Sequence, residues 1–176
     1  MEDSSPMKVT SARMGRAFVV KLEDGEILHE CIEAVAREND IRHAACFFLG
    51  GADTGSRLIV GPADARAATI KPMQTTLPNV FESAAVGTIF PDESGRPVVH
   101  MHAACGREEE TRTGCVRAGV KVWLTGEVVI LELLDCSALR RRDPKTGFNL
   151  LDIPAHPRSQ RKPMARKPRK PRPPKT

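Results

Sequence analysis

Val80-Phe-Glu-Ser-Ala-Ala-Val-Gly-Thr-Ile-Phe90, Pro91-Asp-Glu-Ser-Gly95 and Pro97-Val-Val-His-Met-His-Ala-Ala-Cys105 form the stretch that decides the fold. Two strand-like runs flank five residues of turn chemistry, which is the pattern of an antiparallel hairpin. Side chains alternate along a strand, so His100 and His102 share one face, about 6–7 Å apart. Cys105, at an odd offset, falls on the other face unless Gly106 bends the strand.

Upstream, Arg16 to Leu22 reads as a strand ended by the turn Glu23-Asp-Gly25. Ile27, Leu28, Cys31, Ile32 and Val35 then recur at helical spacing, with Glu30, Glu33 and Arg37 opposite. The spacing predicts a helix of about three turns, stopping near Asn39-Asp40, with Glu33 and Arg37 as a favourable i,i+4 pair. His29 and Glu33 are expected at its solvent edge. Ala44 to Leu49 suits a buried strand. Gly50-Gly51 and Asp53-Thr-Gly55 read as a turn leading back into Ser56–Val60, a second hairpin, and Thr69–Met73 is a further strand candidate.

Downstream, Gly106 to Thr113 reads as a charged loop and Lys121 to Leu134 as a long strand. Arg140-Arg-Arg142 forms a basic spot, Asp143 to Gly147 a turn and Phe148 to Ile153 the last apolar segment. One helix among about seven short strands implies an α+β class, a single domain built on a largely antiparallel sheet. The division expected is 1–13 as a flexible lead-in, 14–153 as the domain and 154–176 as a disordered tail, since the tail is too polar to bury a core.

Composition narrows the function classes. No run approaches the ~18 apolar residues of a membrane span, and the start is acidic and polar, unlike a secretory signal. The reading is a protein that stays in the cytoplasm. Five widely spaced Cys with no C-x-x-C are then free thiols. Aromatics make up 4% with no Tyr, which argues against a stacking platform for single strands. The net charge of +5 averages two unlike parts. Nine of the 27 basic residues lie within 157–176 beside no acid, so 18 basic residues face 22 acidic ones in the rest, a body of −4 and a tail of +9.

The tail cations are Arg158, Arg161, Lys162, Arg166, Lys167, Arg169, Lys170, Arg172 and Lys175, interleaved with six prolines. Proline keeps such a segment extended at ~3 Å per residue, so its charges are spread out to follow a phosphate backbone. The expected partner is DNA or RNA, bound mainly through charge and hence weakened steeply by salt. The competing reading is a solubilising tail or one that meets an acidic protein.

His100 and His102 suit two imidazoles converging on one ion. Cys115, following Gly114 where the chain should run back beside the histidines, completes a two-His, one-Cys set that leaves a position for water or substrate, as on zinc. Cys105 is the rival third ligand. The bland alternative is a pair of half-buried strand histidines with ordinary hydrogen bonds. Glu108, Glu109 and Glu110 are candidate bases, although such a run is commonly a solvated loop. No other nucleophile–base pair is evident, so the reading favours a binding protein over an enzyme.

Several pieces in this order resemble the PPC (plants and prokaryotes conserved) domain: Met14-Gly15-Arg16, the Asp24-Gly25 turn before the helix, Phe81-Glu82, Ala85-Val-Gly-Thr88, His100-Met-His102, Thr113-Gly114-Cys115 and Gly126-Glu127-Val-Val-Ile130. The resemblance spans residues 14 to about 135. It implies a homotrimer and, from the prokaryotic members, a metal held by three histidines. His100 and His102 match directly, while Cys115 stands where the family has the third histidine, which favours Zn²⁺ over a harder ion. In plants the domain follows AT-hooks. The tail here resembles an AT-hook in its Pro-flanked arginines but lacks the Arg-Gly-Arg-Pro core, so mainly non-specific DNA binding is expected, nucleoid-associated if the source is prokaryotic. The runner-up is a zinc-dependent enzyme or small-ligand sensor at His100, His102 and Cys115, and a third reading is a trimeric scaffold for another protein.

Overall fold

A computed structural model describes residues 7–67 and 69–154. The elements are β1 (Arg13–Glu23), α1 (Leu28–Glu38), β2 (Ala44–Ala52), β3 (Arg57–Pro62), β4 (Pro72–Thr76), β5 (Phe81–Pro91), β6 (Pro97–Arg107), β7 (Glu110–Cys115), β8 (Val122–Leu134), β9 (Leu139–Arg142) and β10 (Asn149–Asp152). The first eight strands form one sheet in the order β1-β8-β2-β5-β6-β7-β3-β4, and β9 with β10 forms a separate hairpin. Every strand pairing is antiparallel. The decisive hairpin is present as read, with Phe90 opposite Val98 and the turn held by Asp92, which accepts from Ser94 and Arg96.

Helix α1 covers one face of the sheet. Leu28, Ile32 and Ala36 point inward at helical spacing and join Cys46, Phe48, Ile89, Met101 and Ile130 in a core that is nearly free of solvent. The helix takes no side-chain N-cap; instead Leu28 N–H donates to Val120. Glu33 does not serve Arg37. Its carboxylate reaches across to accept the Val99 amide at 3.0 Å, tying helix to β6, so Glu33 and His29 are half-buried rather than at the solvent edge.

The Met14-Gly15-Arg16 motif acquires a physical reason at the β1 edge. The Glu132 carboxylate accepts from the Arg16 amide and from two guanidinium nitrogens, at 2.8–3.0 Å. It lies so close to Gly15 that a Cβ there would meet its Oε2 at 2.7 Å. The side-chain hydrogen bond from Arg16 is the main reason that Glu132 titrates at about 2 although it is buried.

Several sequence expectations are corrected. Gly50-Gly51 is not a turn: β2 runs through it with a register shift against β8, and only Thr54-Gly55 turns. The following strand does not pair with β2 at all; β3 crosses to the far side of the sheet and pairs with β4 and β7. Gly106–Thr113 is not a loop, since β6 and β7 continue to a tight turn at Glu108-Glu109. The candidate at Thr69–Met73 begins instead at Pro72, and β9 was not expected at all.

Candidate metal centre on the open sheet face

The face of the sheet turned away from α1 carries the candidate site. Direct cross-strand partners share a face, and one row runs Val19, Val129, Phe47, Val86, His102, Cys115 across β1, β8, β2, β5, β6 and β7. Val19 is 85% exposed, Val86 64% and Phe47 41%. Leu49, one row away, is 60% exposed. An apolar surface of this extent on a sheet face is one that association usually covers.

His102 lies in this row next to Cys115, and His100, two residues earlier on β6, is exposed on the same side of the strand as the alternation requires. Their Nε2 atoms lie 3.2 Å apart, with the rings edge-to-face at 86°. Cys115 is the register partner of His102, and Gly114 before it brings β7 against β3: a Cβ on Gly114 would meet the Ile59 carbonyl oxygen at 2.6 Å. One ligand atom from each of His100, His102 and Cys115 lies within 4.8 Å of the others. Two nitrogens bound tetrahedrally at ~2.0–2.1 Å from zinc are about 3.3 Å apart, so the imidazole pair fits that ion as it stands. Partial desolvation by its packed neighbours, reinforced by the charges of Arg140, His102 and Arg117, lowers the His100 pKa and favours the neutral imidazole a metal requires.

The rival thiol is elsewhere. Cys105 is fully buried on the core face, and burial pushes its pKa up, as burial pushes Cys46 to about 12. Neither thiol forms thiolate readily. Glu108, Glu109 and Glu110 lie at the far tip of the β6–β7 hairpin, about 17 Å along the strand from His102 at ~3.3 Å per residue. Glu110 pairs with Arg112 at 2.6 Å there, so these carboxylates are not bases for chemistry at the histidines.

Arg140-Arg-Arg142 is not an open basic spot. Arg140 is only 6% exposed, and Arg141 pairs with Glu93 and Asp152, which leaves Arg142. Sequence reasoning missed Arg140 as a neighbour of the site because a buried guanidinium runs against hydropathy. The nine tail cations named above lie outside the described residues.

The model of the Plants and Prokaryotes Conserved (PCC) domain, also written PPC, matches residues 9–134. The chain belongs to this family. The PPC match spans β1 through β8 and includes His100, His102 and Cys115; β9 and β10 lie beyond it. The chain is similar to a metal-containing protein from Archaeoglobus fulgidus, with a TM-score of 0.69 and 25% identity over 82% of this chain and 98% of that one. It shares its fold with a PPC protein from Pyrococcus horikoshii, at a TM-score of 0.69 and 21% identity over 83% and 97% of the two chains. A candidate DNA-binding protein from Bacteroides thetaiotaomicron has the same fold, at a TM-score of 0.65 and 17% identity over 81% and 97%. No curated protein matches the chain.

Proposed function

We propose that this PPC protein binds DNA, mainly without sequence preference, through its basic segment 157–176, while the folded body assembles as a homotrimer and holds zinc at His100, His102 and Cys115. The observation that carries the reading is the separation of charge, with nine cations and no acid in the last twenty residues against a body of −4. Cations gathered in one segment neutralise phosphates and release counterions, whereas an acidic body repels the duplex. The similarity to a candidate DNA-binding protein points the same way.

The open apolar face supports self-association. Val19, Phe47, Leu49 and Val86 would leave water on assembly, and three tails on one body then act at high effective concentration on a duplex that reaches more than one. The experiment is retention on duplex DNA. Full-length protein is held at low salt and released as salt rises, and a 1–156 truncation is not held; equal retention of the truncation contradicts the reading.

A second reading, a zinc-dependent enzyme or small-ligand sensor, is favoured by the open-sided donor set itself. Two imidazoles and a thiol match the soft and borderline ligands of zinc, and the similarity to a metal-containing relative agrees. With three protein ligands the ion would supply Lewis acidity at a free position. Purified protein should carry about one zinc per chain and lose it in H100A; full zinc content in H100A would remove the site.

A further inference from the structure

Arg140 is the most anomalous charge among the described residues. It comes from β9, outside the matched family region, so the segment after β8 delivers it to the family's sheet. The residue is 6% exposed, yet no carboxylate pairs with it among the described residues. Nη2 donates to Thr88 Oγ1 at 2.8 Å, the guanidinium lies 5.4 Å from the centre of the Phe90 ring, and Nε is buried without a partner. A buried guanidinium left one donor short and without a counter-charge is expensive. Such a group persists where something accepts from it.

Its position says what that something is. Thr88 is the direct cross-strand partner of His100, so Arg140 is anchored beside the candidate metal centre. The β9–β10 hairpin touches this corner twice, because Phe148 lies 5.6 Å beneath the guanidinium of Arg117, two residues after Cys115. A divalent ion with an open position beside an uncompensated guanidinium is a strongly positive, partly dry corner.

We propose that this corner binds a small oxyanion, a carboxylate or phosphate, recognised jointly by the metal at His100, His102 and Cys115 and by Arg140. The inference rests on the zinc reading above and names the ligand class of that site. An oxyanion at the metal's open position would set a negative charge beside this uncompensated guanidinium, which a neutral ligand cannot do.

The test uses zinc-loaded full-length protein titrated with inorganic phosphate and, separately, with acetate, at constant ionic strength set with sodium chloride. Melting temperature and zinc content are read on the same samples. The wild type should show a saturable rise with at least one anion, and the tighter of the two assigns phosphate or carboxylate. R140M should bind at least tenfold more weakly at unchanged zinc content, since the tail is common to both proteins and cannot cause the difference. R140K, which keeps the charge without the planar fork and guards against a folding defect in R140M, should fall between them. No saturable response in zinc-loaded wild type, or an equal response in R140M, overturns the anion site while leaving the zinc reading intact. Wild-type protein that binds no zinc overturns the zinc reading and the shared site with it.

Discussion

The folded body and the tail use cationic residues in opposite ways. In the body, many cations meet carboxylates: Arg13 with Asp135, Arg16 with Glu132, Lys21 with Glu23, Lys121 with Asp53 and Arg141 with Asp152, all at 2.6–2.8 Å. In 157–176 the sequence offers nine cations and no acid. Charge in the body therefore positions strands and turns, whereas on the reading proposed above charge in the tail serves a polyanion. Arg140 obeys neither pattern: it is buried, no carboxylate pairs with it among the described residues, and it lies beside the candidate metal centre.

The largest effect should come from separating valency from charge. F47D combined with V86D places carboxylates in the apolar row, should dissociate the assembly to monomers, and should weaken duplex binding by about 100-fold with the tail intact. Light scattering and a binding titration on the same protein check this. Unchanged affinity in a proven monomer would mean that one tail suffices.

Glu132→Gln should cost about 2 kcal/mol in denaturant unfolding, the scale of a charge-assisted hydrogen bond, without altering DNA binding. The same group sets the acid limit of the body. Glu132 and Asp92 both titrate at about 2 in the fold, from ordinary values of 4.5 and 3.8. A depressed carboxylate contributes its stability in full above its unfolded pKa and loses it as pH falls through its folded one. The melting temperature should thus decline between about pH 4.5 and pH 2, with a shallower decline in E132Q. At the small end, K21A removes a pair whose side chains are both about two-thirds exposed and should shift the unfolding midpoint by no more than experimental error.

How much of this was legible follows the same physics. The hairpin from Phe81 to Cys105 and helix α1 were readable because one buried face imposes a period on the sequence. Strand parity placed His100 and His102 together and sent Cys105 inward, and the antiparallel return brought Cys115 opposite His102. Gly50-Gly51 misled because glycine suggests a turn, while here β2 shifts its register against Trp123 and Gly126. Glu108 to Arg112 misled because both strands of the β6–β7 tip face water and carry no apolar signal. Arg140 was invisible for a different reason: its burial depends on Thr88 and Phe90, 52 and 50 residues away, and no local pattern encodes that.

The most direct test of the account is the salt dependence of duplex binding, measured as log K against log salt for the full chain and for residues 1–156. With each neutralised phosphate contributing a slope of about −0.9, the full chain should give a slope steeper than about −4, and the truncation should show no measurable binding. A truncation that binds with the same slope would place the interface on the folded body and contradict the account.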